Sequence, residues 1–252
     1  MKVKSLRLRL ARRSEVPAIK RFYLDRMRPK SKSEREALPI PSLLEITTAI
    51  DEMEFIVLEE VDSEKIVATS GIFRLVNHDR GVFGELSGML TGREVGGLAP
   101  YRVQEIMIAA RIARAAQALL DEVAPTALAS FVASANSDSR TNLERRGLEE
   151  TAALPAWLRD EYVSWFGWDG HENWVCMRVG ARALVAAADI VLTLERHRPH
   201  PLRRPTSDGG TEHFTLTWER TLWGANLSDL EAFRNMTPRP EFPPLVDEIT
   251  FA

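Results

Sequence analysis

The sequence predicts a mixed α/β protein. A central, largely antiparallel sheet is flanked by helices and followed by a C-terminal strand-helix-strand extension. Three observations carry this expectation. Helical and strand patterns alternate along one chain, so both element types share a core. The β-rich runs "EFIVLEEV" and "KIVATSGIFRLV" are joined only by Asp62, Ser63 and Glu64, which predicts an antiparallel hairpin. A Gly-rich turn, "TGREVGG", leads out of a strand into a long, Ala-rich helix.

The elements follow in order. "LRLRLA" alternates strictly and reads as a strand with one apolar face. Ser14 reads as the N-cap of a helix over "EVPAIKRFYLDRM", in which Val16, Ile19, Phe22, Tyr23 and Met27 form one stripe. "SKSEREALPIP" is polar and punctuated by proline, a loop, and "PSLLEITTAIDEM" is a second short helix. After the hairpin, "HDRG" turns the chain into the strand "GVFGELSGML". The Ala-rich helix is expected over residues 100–123. "TALASFVA" is the next strand, and "NSDSRTNLERRG" a short helix with Gly147 at its stop. Beyond residue 150, "WVCMRVG" reads as a strand and "ARALVAAADIVLTLERHR" as a helix. "PHPLRRPTSDGG" reads as a loop, "TEHFTLTWERTLW" as a long strand, and "TPRPEFPP" as irregular.

Composition narrows the function classes. The chain has 252 residues, room for one large domain or a domain with a sizeable extension. The net charge is -3, and basic stretches such as "RHRPHPLRR" are balanced by acidic ones, so no nucleic-acid partner is expected. Cys176 is the one cysteine, which excludes a disulfide framework and a thiolate metal cluster. His171, His197, His200 and His213 lack zinc-binding spacing, so no metal is expected. No G-x-S-x-G elbow and no G-x-G-x-x-G fingerprint is present. There is no apolar signal core and no run of membrane-spanning length. The expectation is a cytoplasmic protein with no membrane partner.

The Gly-rich turn before the Ala-rich helix has two readings. Glycines make tight turns. They also let an anion approach the free N–H groups at a helix N-terminus. With its neighbours, this turn resembles the pyrophosphate loop of the GNAT superfamily, the acyl-CoA-dependent N-acetyltransferases. "LRLRLARRSEVPAIKRF" is similar to that family's first strand and helix, and "FIVLEEVDSEKIVATSGIFRL" to its second and third strands. "ELSGML…REVGGLAPYRVQEIMIAARIARAAQ" resembles its cofactor-binding strand, loop and helix. "ASFVASANSDSRTNLERRGLEE" resembles the strand, asparagine and short helix on the other side of the cofactor. The resemblance implies a GNAT-type acyl-CoA-binding core over residues 1–150. Residues 151–252 would be an extension that completes the sheet and forms an acceptor pocket or a dimer interface.

The resemblance also implies roles. The family loop reads Gln/Arg-x-x-Gly-x-Gly/Ala, and two registers stay open. Starting at Arg93 places Gly96 correctly and puts Leu98 at the final small position. Starting at Gly96 places Ala99 and ends on Tyr101. Arg93, Gly96, Gly97, Leu98 and Ala99 would hold the pyrophosphate. Backbone at Met89 and Leu90 would pair with the pantetheine amides. Asn136 would touch the cofactor arm, or simply cap its helix. Glu85 would be the general base, or a solvated strand carboxylate. The family's frequent acid, a tyrosine, is Leu143 here, and Leu148 replaces the family phenylalanine.

The activity implied is transfer of an acyl group, acetyl first of all, from acetyl-CoA or another acyl-CoA to an amine of a small molecule or protein. The alternatives are a catalytically degenerate ligand- or partner-binding module, and an acyltransferase with a different acyl donor. Trp157, Tyr162, Trp165, Phe166, Trp168 and Trp174 crowd into one stretch. Such rings need cover. They would wall the acceptor pocket, pack under the helix at Ala181–Arg196, or form a homodimer interface.

Overall fold

Strand β1 (Lys4–Leu10) departs from simple amphipathicity. Leu6 and Leu8 are buried as expected, but Arg9 on the opposite face is buried too. Its guanidinium donates to Glu59 at 2.7 Å and to Glu15 at 2.8 Å, so the buried charge is paired. The structure is a computed structural model that describes residues 3–27, 40–77, 81–120, 126–133, 136–151, 174–224 and 226–235.

The first helix, α1 (Val16–Arg26), is entered through a 3₁₀ turn at Arg13–Glu15. Ser14 therefore lies inside that turn and is not the N-cap the sequence predicted. The N-cap position is Glu15, and its carboxylate accepts the Arg12 N–H of the 3₁₀ turn at 2.7 Å. Helix α2 (Leu43–Asp51) begins with a reciprocal capping box: Glu45 N–H donates to Ser42 Oγ at 3.1 Å, and Ser42 N–H to Glu45 at 2.6 Å. Strands β2 (Phe55–Glu60) and β3 (Lys65–Asn77) form the predicted hairpin, and β4 (Gly81–Thr91) pairs antiparallel with β3. Helix α3 (Val103–Leu120) links β4 to β5 (Thr126–Ala133), which runs parallel to β4, as a strand-helix-strand crossover requires. Helix α4 (Ser137–Glu144) stops before Gly147, whose φ of +81° provides the left-handed exit.

Short strand β6 (Glu149–Thr151), β7 (Trp174–Arg178) and helix α5 (Ala181–Arg196) follow. The stretch expected to be a loop after α5 instead contains β8 (His200–Pro205), paired with β9 (Thr211–Trp218). This strand contains two prolines, Pro201 and Pro205. They are tolerated because β8 lies at the sheet edge, where an amide need not donate on the outer side. A helix not foreseen, α6 (Leu227–Asn235), packs on α5. The crowded segment at 157–168 and the proline-rich tail lie outside the described residues, as does the side chain of Trp174.

Among the described residues the strands form one sheet in the order β6-β7-β5-β4-β3-β2-β1-β9-β8. It is mixed and largely antiparallel; β4–β5 and β1–β9 are the parallel pairs. Strands β7, β8 and β9 thus share a sheet with β1 to β5. Two apolar layers flank it. Phe22, Tyr23, Ile46, Phe55, Val57 and Phe73 pack with α1 and α2 on one face. Leu6, Leu8, Ile56, Leu86 and Trp218 pack with α3, α5 and α6 on the other. Two-sided cover explains why β2 is buried along almost its whole length.

Candidate active site

The sheet opens where β4 leaves β5. The two strands pair from Val82↔Thr126 to Glu85↔Ala129 and then separate. Beyond that point β5 pairs with β7 on its other side. Ser130 Oγ donates to the Leu86 carbonyl at 2.9 Å, a last tie at the vertex. Strand β4 also bulges against β3: the register shifts between Thr69↔Leu90 and Gly71↔Ser87. A bulge adds local twist and turns the strand away from its neighbour.

Gly88 makes this bulge. Its φ is +64°, and a Cβ there would lie 2.7 Å from the Tyr23 hydroxyl. Only glycine meets both demands. The Gly88 carbonyl accepts from the Tyr23 hydroxyl, and the Thr69 hydroxyl lies 3.1 Å from both. Burial pushes the Tyr23 phenol well above its usual range, so it stays protonated and holds the carbonyl as a donor.

The splay encloses a cavity of about 310 Å³. Strand β4 contributes Leu86 to Leu90, α1 and its C-terminal cap contribute Tyr23 and Met27, and β5 contributes Ser130 to Val132. Gln104 and Arg111 come from α3, and Asn136, Ser139, Asn142 and Leu143 from α4 and its start. Arg111 is 1% exposed. Its Nη1 lies 3.3 Å from the carbonyls of Gly71 and Ser87, its Nη2 3.8 Å from Met89 Sδ, and its Nε has no hydrogen-bond partner. Burial pushes the guanidinium down to about 10, against the opposing pull of Tyr23 and Glu85, so it remains a cation at neutral pH.

The predicted residues separate into groups. Met89, Leu90 and Asn136 line the cavity. Asn136 also caps α4, its Oδ1 accepting the Ser139 N–H at 3.1 Å, so cap and cavity wall coexist. Glu85 is 6% exposed and is the last β4 residue paired with β5. Its cross-strand partner is Phe73, which places it on the α1/α2 face, and its charge reaches Arg111. It is buried, which excludes the solvated-carboxylate reading. Leu143, at the position of the family acid, is an apolar part of the wall.

The loop residues lie apart from that cavity's lining. Arg93 is exposed at a 3₁₀ turn and lines a second cavity, of about 490 Å³, with Phe22, Asp25, Arg26 and Lys65. Gly96 and Gly97 are exposed, and Leu98 is 2% exposed, its side chain in the core. Ala99 is bridged to Arg203 of β8, N–H to carbonyl at 2.9 Å in both directions. Its N–H is thereby spent. The N–H groups of Gly97 and Leu98, and of Val103 and Gln104 at the start of α3, have no backbone partner among the described residues. A helix start also carries a partial positive charge. Sequence reasoning missed Tyr23, Thr69 and Arg111 as parts of this site. Arg111 left a trace: it interrupts the stripe Met107, Ile108, Ile112 and Ala115 on an otherwise apolar helix face.

No described helix is long and apolar enough to cross a membrane. No protein-family model matches the sequence, and no curated protein matches it. Solved structures similar to the chain include a GCN5-related N-acetyltransferase from Kribbella flavida. It is 14% identical with a TM-score of 0.39, over 59% of this chain and 34% of that one, so the chain spans about a third of its length. A GNAT-family acetyltransferase from Listeria monocytogenes is 11% identical with a TM-score of 0.46, over 68% of this chain and 92% of that one. Naa50 of Arabidopsis thaliana, solved in complex with a bisubstrate analogue, is 9% identical with a TM-score of 0.45, over 69% of this chain and 96% of that one.

Proposed function

We propose that the protein is an N-acyltransferase of the GNAT type, moving an acetyl or other acyl group from acyl-CoA to an amine. The observation that carries this reading is the opening of the sheet between β4 and β5 beyond Glu85, with a cavity beneath it that reaches Gln104 at the start of α3. A thin, amide-bearing arm fits such a cleft. The edge of β4 at Met89 and Leu90 supplies backbone groups for the pantetheine amides. The diphosphate lies at the loop of residues 93–99, where the N–H groups of Gly97 and Leu98, the start of α3 and the Arg93 side chain favour an anion. Ala99 shapes that loop through its bridge to β8.

In the reaction, the amine nitrogen attacks the thioester carbonyl, the C–S bond breaks, and the thiolate of CoA leaves. Glu85 takes the ammonium proton through water. Arg111 brings a buried positive charge within electrostatic reach of Glu85. Asn136 contacts the arm from the α4 side. Residues 1–150 supply the acyl-CoA-binding elements, and residues 151–252 complete the sheet and bear on the acceptor.

One observation favours a second reading. Leu143 offers no proton for the leaving thiolate, which suits a domain that binds acyl-CoA without turning it over. Two measurements separate the readings. Native mass spectrometry and thermal denaturation with acetyl-CoA test binding, since a ligand bound only by the folded state raises its melting temperature. Thiol release from acetyl-CoA across a panel of amines tests transfer. Binding with release supports the enzyme; binding without release supports the degenerate module; no binding removes both.

A further inference from the structure

The loop of residues 93–99 does not stand alone. Arg204, on edge strand β8 far along the chain, reaches across it. Its Nη1 lies 3.1 Å from the Arg93 carbonyl, 2.9 Å from that of Glu94 and 3.3 Å from that of Gly96. The same guanidinium donates through Nε to Glu212 at 3.1 Å, and Glu212 is held in turn by Lys4 of β1 at 2.9 Å. The Phe214 ring lies beside it, 5.5 Å from centroid to guanidinium carbon. The neighbouring residue, Arg203, clamps Ala99 by its backbone.

We infer that Arg204 is a positioning residue for the acyl donor, a strap from the C-terminal extension that fixes the diphosphate loop with its N–H side outward. The inference rests on the acyl-CoA reading above. In a planar trans peptide the carbonyl and the following N–H point in opposite directions. Drawing the Gly96 carbonyl to Arg204 therefore turns the Gly97 N–H away from β8, where it has no partner among the described residues. A cation is suited to this task, because three carbonyl oxygens brought together repel one another unless positive charge lies between them. Without it, a loop with consecutive glycines would sample many conformations, and the anion would have to order them on binding. Within the loop Arg204 bonds carbonyl oxygens, so the effect inferred for it is on the loop backbone.

The test compares two probes. Acetyl-CoA carries the diphosphate; S-acetylpantetheine carries the same thioester arm without it. Arg204→Met is expected to raise the dissociation constant for acetyl-CoA by about tenfold or more, the scale of losing a preorganised donor set. Binding of S-acetylpantetheine, followed by ligand-observed NMR, should be unchanged. Glu212→Gln, which leaves Arg204 in place but removes its counter-charge, should shift acetyl-CoA binding the same way by a smaller factor and serves if Arg204→Met fails to fold. Equal weakening of both probes, or acetyl-CoA affinity unchanged in the folded variants, overturns the inference while leaving the acyl-CoA reading intact. A wild-type protein that binds no acetyl-CoA overturns the reading itself and the inference with it.

Discussion

Glu85 and Arg111 show how burial turns ordinary side chains into a chemical pair. Each is almost fully removed from solvent, where charges act on one another with little screening. Burial pulls the Arg111 guanidinium down, and Tyr23 and Glu85 pull it back up. Glu85→Gln keeps the shape and removes the proton acceptor. Under the acyl-transfer reading it should lower turnover by about 10²-fold or more, with the dissociation constant of acetyl-CoA unchanged. Thiol release and calorimetry on the same preparation check this. Wild-type turnover across pH would remove Glu85 from the mechanism.

At the scale of the element, the bulge in β4 and the turn after it do the positioning. Gly88→Ala forces a Cβ towards the Tyr23 hydroxyl at an unfavourable φ, so it should cost about 1–3 kcal/mol in urea unfolding. Gly96→Ala is the contrast: its Cβ would sit 3.5 Å from the nearest atom, Arg93 O, at an ordinary φ of -67°. That substitution should be near neutral. The 3₁₀ turn after β4 is pinned by Glu94, which bonds Lys65 of β3 at 2.8 Å and also Arg26 of α1. Burial pushes the Glu94 carboxyl up, but the Lys65 and Arg26 bonds outweigh it and hold the group down at about 2. A depressed carboxyl stabilises the fold above its ordinary value of about 4.5, and that stability is lost as pH falls towards about 2. Glu94→Gln should therefore be less stable than wild type at pH 6 and equal to it near pH 2, with the gap closing in between. Denaturation across that pH range checks it; a gap that persists at pH 2 would assign the loss to packing instead.

At the scale of the whole molecule, the described residues of the C-terminal third are part of the fold's core. Strand β9 pairs with β1 through Lys4↔Phe214 to Leu8↔Trp218, and Leu202, Phe214, Leu216, Trp218, Leu222 and Trp223 are part of the larger apolar core. Removing them would expose the edge of β1 and a broad apolar face. A chain ended after residue 150 should therefore fail to unfold cooperatively and should aggregate, whereas the full chain should show one cooperative transition. A truncated chain with a sharp melting transition would restore residues 1–150 as an independent unit. The same packing lets a residue at position 204 reach a loop more than a hundred positions earlier.

Much of this was legible in the sequence because the signals are local. Alternation in "LRLRLA", the three-residue gap in the hairpin, the Ala-rich helix and Gly147 as a stop each depend on neighbours within one or two turns, where backbone sterics and side-chain period act directly. Gly88 was readable only as one glycine among several, since the Tyr23 hydroxyl that would meet a Cβ there lies 65 positions away. Strand β8 was hidden because its prolines oppose a strand everywhere except at an edge, and which strand is the edge is a property of the assembled sheet. Arg111 becomes part of the site only when folding brings the Gly71 and Ser87 carbonyls and Glu85 around it. The sequence by itself determined most of the elements as far as α5 and the kind of turn that leads into α3. Only the tertiary structure decided which buried charges are paired, where the sheet opens, and that β8 holds the loop, because burial and long-range pairing are set by atoms that sequence proximity does not bring together.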